Sequence, residues 1–245
     1  MYDNTTELNM PSFEEVFEEA RQGKDVLLVL SGGMDSAYIL WKYSQIVKDR
    51  PIYTHHIHLY PSWSPRLEVE DFAIKQQIAY LGREVSVTRS LVDTEAHSAL
   101  IRDLTLGCLL SAEVAVFHGC SYIMAGDDLP SSFRRSLPFS EMAPHKKRMN
   151  ISMGEYVRAV TNDTVDVTMG MESNLVAEAY NEMPTDYMEL ISSCREPVIK
   201  AGHVNQCGSC ASCEKNKRFG FFDKISKRLV LPDVNSPRAQ GLSNV

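Results

Sequence analysis

The feature that most restricts this chain is an aliphatic run, Val26-Leu27-Leu28-Val29-Leu30, that passes without a spacer into Ser31-Gly32-Gly33-Met34-Asp35-Ser36. The run is too short for a buried helix and has no polar alternation. It reads as a parallel strand covered on both faces. The glycines turn the chain, and Ala37 to Val47 then reads as a helix with Tyr38, Trp41 and Gln45 along one line. A covered strand needs partners, and the sequence holds them. Pro51 to Leu59, Glu84 to Thr88 and Tyr122 to Ala125 are further strand candidates. Phe13 to Ala20 (with Ser12 as N-cap), Glu68 to Leu81 and Ile101 to Phe117 have the apolar spacing of helices. This alternation predicts an α/β fold, a doubly wound and mostly parallel sheet.

Between Pro130 and Asn150 the composition turns to Ser, Pro, Arg and Lys. That stretch reads as a long loop or lid over the carboxyl ends of the strands, where such sheets bind ligands. Order is expected again over Ile151 to Val160, Val165 to Met169 and Asn174 to Met183. Residues 1–185 are expected to form the α/β domain, and residues 186–245 a small C-terminal segment with a tail.

The first segment, Met1-Tyr2-Asp3-Asn4-Thr5-Thr6-Glu7, has neither a basic nor an apolar stretch, so no secretory signal is expected and the cytoplasm is the expected compartment. No apolar run approaches the ~20 residues of a membrane-spanning helix. A net charge of -7 argues against a protein held along nucleic acid by bulk charge.

Two motifs carry chemistry. Ser31-Gly32-Gly33-Met34-Asp35-Ser36 joins a buried strand to a helix, so backbone N–H groups and the helix N-terminus converge on one point. That is an anion site, with the glycines allowing close approach. Ser31 and Ser36 add hydroxyls, and Asp35 can hold Mg²⁺ or orient the turn. The loop is not a Walker A motif, because the lysine and the longer glycine spacing are missing.

The second motif is a cysteine cluster. Cys194, Cys207, Cys210 and Cys213 fall within one stretch of 20 residues, as Cys-x₁₂-Cys-x₂-Cys-x₂-Cys. This spacing can close a tetrahedral thiolate site, and Gly208 permits a tight knuckle. Iron–sulfur ligation is the rival, but the ferredoxin run has a further cysteine three residues on, so Zn²⁺ is favoured. His203 could replace Cys194. Cys108 and Cys120 sit in apolar surroundings and read as buried reduced thiols.

The six-residue loop resembles that of the PP-loop ATP pyrophosphatase superfamily. Together with a C-terminal four-cysteine knuckle it is similar to the 7-cyano-7-deazaguanine synthase (QueC) family and its QueC-like relatives, over roughly Lys24 to Phe222. The resemblance implies cleavage of ATP between the α and β phosphates, with Mg²⁺, and adenylation of 7-carboxy-7-deazaguanine or a related acid. Ammonia or another amine then displaces the AMP. It implies that Ser31, Gly32, Gly33, Asp35 and Ser36 hold the phosphates and that adenine lies near His55 to His58, with His58 a candidate. Arg66 corresponds to an Arg after the family's second strand. Arg102-Asp103-Leu104 is similar to an Arg-Asn-Leu, which makes Arg102 a catalytic candidate beside Asp35 and Ser36. Gly126-Asp127-Asp128 stands where the family has Gly-x-x-Glu, which puts Gly126 and Asp127 near the deazaguanine.

The departures are as informative. The family's Pro-Gly-Arg-Asn is here Leu100-Ile101-Arg102-Asp103, and Ser131-Ser132-Phe133-Arg134-Arg135 replaces its Tyr-Pro-Asp-Cys-Arg. Glu172 stands in the place of a lysine, and the Cys194–Cys207 spacing is longer than usual. An enzyme that stops at the amide, or conjugates another amine, fits these changes. The alternatives are a tRNA-modifying PP-loop enzyme, or a zinc nucleic-acid-binding module with a vestigial nucleotide fold. A homodimer or a pathway partner stays open. Arg134, Arg135, Lys146, Lys147 and Arg148 on the expected lid could grip phosphates or a charged partner, or form a solvated basic loop, while Lys215, Lys217 and Arg218 read as solvated charge at a helix start.

Overall fold

The computed structural model describes residues 10–60, 65–93, 103–128, 139–171 and 180–232. Helix α1 spans Phe13–Arg21 and opens with the Ser12 N-cap, whose side chain and backbone exchange hydrogen bonds with Glu15. The units that follow are β1 (Val26–Leu30), α2 (Met34–Ile46), β2 (Ile52–Tyr60), α3 (Arg66–Leu81), β3 (Val85–Asp93), α4 (Asp103–His118), β4 (Tyr122–Asp128), α5 (Phe139–Val160) and β5 (Asp166–Met171). Five strands form one parallel sheet in the order β3-β2-β1-β4-β5. The doubly wound α/β architecture is thus present.

The central strand is sealed on both faces, as its unbroken apolar run requires. Val26, Leu28 and Leu30 pack with α1 and α2, and Leu27 packs with α4, α5 and the inner residues of β4 and β5. β3 runs past the expected Thr88 to Asp93, because it pairs with β2 in register from Ile52↔Val85 to Tyr60↔Asp93. The largest departure from the sequence reading is the supposed lid. Residues from Phe139 onward belong to the single helix α5. Glu141, Met142, Ala143 and the Lys146–Met149 run are good helix formers, and this local propensity outweighs a loop-like composition. Residues 129–138 and 172–179 lie outside the described residues, so the rest of the lid and the first part of Asn174 to Met183 are not placed.

After β5 the chain makes one helical turn, Thr185–Met188, then the hairpin β6 (Val198–Lys200) and β7 (His203–Asn205), and then α6 (Ala211–Arg218). Tyr187, Met188, Ile191, Phe221 and Ile225 enter the same core as α1 and α2, while Val204 and Leu229 pack on Val69 and Ala73 of α3. Side chains between Tyr187 and Leu229 therefore cover the α1–α2–α3 face. Among the described residues, no helix is long and apolar enough to cross a membrane.

Candidate functional site

Strands run outward from β1 in two directions, toward β2 and β3 on one side and toward β4 and β5 on the other. The reversal opens a crevice beyond the carboxyl ends of β1 and β4, the general binding position of open α/β sheets. Ser31–Ser36 leaves β1 there, and Gly126 lies near the end of β4. The two are in intimate contact. A Cβ built on Gly126 would lie 2.7 Å from the Asp35 carbonyl carbon and 2.9 Å from the Ser36 nitrogen. Only glycine lets β4 pass so close to the loop. Gly32 has φ of +72°, and a Cβ there would lie 3.0 Å from the Glu70 carbonyl oxygen of α3.

Inside the loop the serines brace one another. Ser31 N donates to Ser36 Oγ at 3.1 Å, the two Oγ atoms are 3.1 Å apart, and Ser36 Oγ donates to Gly33 O at 3.1 Å. Gly33 is the N-cap of α2 and offers no side chain, so the helix begins with its amides facing the turn. The sequence grouping of Ser31, Gly32, Gly33, Asp35, Ser36 and Gly126 is one place in space.

The Asp35 carboxylate has partners that sequence reasoning missed. It accepts from the Tyr180 hydroxyl and from Lys215 Nζ, at 3.0 Å to Oδ1 and 3.2 Å to Oδ2. The Lys215 side chain is only 11% exposed. Reading it as solvated charge is therefore corrected: its ammonium is folded against the loop and lies 5.7 Å from the centre of the Tyr180 ring. Three further residues hold the loop. Met34 N donates to Ser193 Oγ at 3.0 Å, and Ser192 N donates to Gly32 O at 2.9 Å. Gln77 of α3 bridges Gly32 O and Leu190 O. No spacing rule singles these residues out, because they reach the loop from far along the chain.

Midway along β2, His55 and His56 are buried. Thr88 spends its hydroxyl proton on Thr54 O, so it accepts from His55 Nδ1, and His56 Nδ1 donates to Leu30 O at 2.8 Å. Their buried Nε2 atoms have no hydrogen-bond partner among the described residues, and burial favours the neutral rings. Burial pushes His56 down to about 4 and also lowers His55 and His58. His58 meets His56 edge-on at 4.2 Å. Arg66 opens α3 and pairs with Glu70 at 2.6 Å. Arg102, Glu172, Arg134 and Arg135 lie outside the described residues; Asp127 is placed by its backbone in β4.

Cys194, Cys207, Cys210 and Cys213 converge, with all four Sγ atoms within 4.8 Å of one another. A tetrahedron with metal–sulfur bonds of ~2.3 Å has edges of ~3.8 Å, and Cys207 and Cys213 stand 3.9 Å apart. The donor set fits one tetrahedral ion. A cubane cluster would hold its cysteines farther apart, since the iron–sulfide core lies between them. Backbone N–H groups already point at sulfur: Cys207 N to Cys194, Cys210 N to Cys207 and Arg195 N to Cys210, at 3.2 to 3.4 Å. Burial pushes the Cys194 thiol up to about 11. Burial also opposes ionisation of Cys207, yet backbone N–H groups of Ser209 and Cys210 bring it down to about 6. His203 is exposed on β7 and is not part of the group, so Cys194 is the fourth member. Cys108 and Cys120 are buried at 0% and 3% exposure, as expected of inert thiols.

No protein-family model and no curated protein matches the sequence. Among solved structures, a similar chain is the U34-tRNA thiolase NcsA from Methanococcus maripaludis with its 4Fe-4S cluster. Identity is 13% and the TM-score 0.42, over 88% of this chain and 79% of that one. A second is a 4-thiouridine synthetase in complex with RNA and bound ATP, at 13% identity and TM-score 0.42, over 81% of this chain and 50% of that one.

Proposed function

We propose that this chain is an ATP-dependent enzyme of the PP-loop kind, which transfers AMP to an acceptor oxygen and releases pyrophosphate. The observation that carries this reading is the Ser31–Ser36 loop at the β1–β4 crevice, with Gly126 pressed on Asp35 and a part-buried lysine beside it. Helix amides and the Lys215 cation together suit a departing polyphosphate, whose charge they would stabilise as it develops. Mg²⁺, arriving with the nucleotide, would screen the phosphates. Zn²⁺ in the Cys194–Cys207–Cys210–Cys213 group would be structural, because four thiolates leave no position for substrate.

The acceptor we favour is the carboxylate of 7-carboxy-7-deazaguanine or a close analogue, on the strength of the paired loop and knuckle. One carboxylate oxygen attacks the α-phosphorus while the bond to the β-phosphate oxygen breaks. Ammonia or another amine then adds to the acyl carbon, AMP leaves with the C–O electron pair, and the amine loses a proton. A second activation must use a neutral amide oxygen, a poorer nucleophile. With Glu172 in the place of a lysine, the amide or an amine conjugate is the expected end product.

A specific observation favours a second reading, modification of tRNA, the kind of substrate named for the thiolase above. Residues 195–232 hold eight Lys and Arg against three Asp and Glu, in a chain of net charge -7. Arg195, Lys200, Lys217, Arg218, Lys227 and Arg228 are exposed. Against thiolation stands the burial of Cys108 and Cys120. Mass spectrometry of products from ATP with the deazaguanine acid, with and without ammonia, and in parallel with tRNA and a sulfide donor, separates the two. An amide or conjugate supports the first reading; thiolated tRNA with no acid product replaces it with the second.

A further inference from the structure

The cysteine group and the anion loop are not separate sites. Immediately before Cys194, Ser192 N donates to Gly32 O and Ser193 Oγ accepts from Met34 N at 3.0 Å. Two residues after Cys213, Lys215 reaches Asp35 at 3.0 and 3.2 Å. The first and last ligands of the proposed metal centre are therefore each followed or preceded, within two residues, by a contact to the loop. Helix α6 makes the second link stiff. Cys210 is its N-cap, Cys213 lies in its first turn with 0% exposure, and Lys215 is two residues farther along the same helix. A helix rises only ~1.5 Å per residue, so a shift of Cys213 carries Lys215 with it. On the loop side, Gly126 leaves Asp35 no slack.

We propose that Ser193 and Lys215 are positioning residues for the nucleotide, and that filling the four-cysteine centre sets them in place. Metal binding and nucleotide binding are then coupled, and the centre is more than a fold staple. Without the metal, the sulfurs have no common anchor, the N-terminus of α6 loosens, and both grips on residues 32–35 slacken. The loop amides then sample orientations that no longer converge on a phosphate. Linkage makes the effect reciprocal, so nucleotide also tightens metal retention. This inference rests on the ATP reading for the identity of the ligand; the mechanical link does not depend on it.

The test uses the full chain loaded with zinc, as wild type, Lys215→Ala, Lys215→Arg and Ser193→Ala. None of these changes touches a cysteine. Binding of a fluorescent ATP analogue is measured beside zinc content and amide hydrogen exchange of residues 31–37, with β5 as an internal reference. Loss of a charge-assisted contact predicts affinity about tenfold weaker or worse in Lys215→Ala, with full zinc content and largely restored binding in Lys215→Arg. Exchange of residues 31–37 is expected to quicken in Lys215→Ala and Ser193→Ala, and in wild type stripped by a chelator, while β5 stays protected. Unchanged affinity and unchanged loop exchange in both zinc-loaded alanine variants overturns the proposal, whatever the stripped protein does. If wild type binds no ATP analogue, the nucleotide reading fails, and the loop-exchange comparison still decides the coupling.

Discussion

Replacing Gly126 by alanine adds one methyl group at the most crowded of the described glycines. The new Cβ would lie 2.7 Å from both the carbonyl carbon and the Cβ of Asp35, and 2.9 Å from Ser36 N. Carbon atoms pack at ~3.5–4.0 Å, so the misfit is on the order of 1 Å. Neither side can rotate away, because one is a sheet strand and the other the first turn of α2. Overpacking of this kind costs roughly 1–3 kcal/mol, or about 5- to 150-fold in an equilibrium constant. The loop is the weaker of the two parts, so much of that cost should appear as lost nucleotide affinity. Urea unfolding and binding of an ATP analogue would read the two shares. Gly154→Ala is the matched control: it lies inside α5, and its Cβ would meet Met10 at an ordinary 3.6 Å. Helix propensity predicts a gain of up to ~1 kcal/mol there. If Gly126→Ala stays within about 0.5 kcal/mol of wild type in both assays, the close approach is not a constraint and the crevice geometry is wrong.

Three further outcomes follow from the same geometry. Asp35→Ala should abolish formation of AMP and pyrophosphate while keeping the fold, since it removes the acceptor of Lys215 and Tyr180 at the rim of the sheet; AMP at the parental rate in a folded variant speaks against it. Cys210→Ser should lose its zinc, by elemental analysis, and a sizeable part of a stability that is ~5–15 kcal/mol for a domain, whereas a brown wild-type protein with charge-transfer absorption replaces zinc by an iron–sulfur centre. Acid lability should track His56. Its folded pKa is about 4 against 6.5 for a free imidazole, so the unfolded chain binds the extra proton in that window and stability falls as pH drops through it. The His56 share of the loss is on the order of 3 kcal/mol, and His56→Gln should reduce the fall of the urea midpoint between those pH values, leaving the shares of His55 and His58.

The sheet was legible because its signals are local. An unbroken apolar run, glycine stops and alternating helix and strand lengths name the elements, and the right-handed connections then leave few arrangements. The anion loop was legible for the same reason, as six consecutive residues. Helix α5 was obscured because Pro144 and a run of charge resemble loop composition, while the pairing of the elements on either side is nonlocal. Lys215 could not be found in this way. Ala211–Arg218 is polar almost all round, so nothing in it says which of Lys215, Lys217 and Arg218 turns inward. That choice is made by where the cysteines anchor the helix, a fact of tertiary structure. Ser193 is equally silent, being one serine of a pair beside Cys194.

An acceptor activated at the Ser31–Ser36 crevice requires that ATP be cleaved between its α and β phosphates. The direct measurement is the nucleotide product. The zinc-loaded protein is incubated with ATP, Mg²⁺, ammonia and the 7-deazaguanine acid labelled with ¹⁸O in its carboxylate. AMP and pyrophosphate are expected in equal amounts, with ¹⁸O carried into the AMP phosphate. ADP and phosphate as the products, or AMP free of the label, would contradict that mechanism.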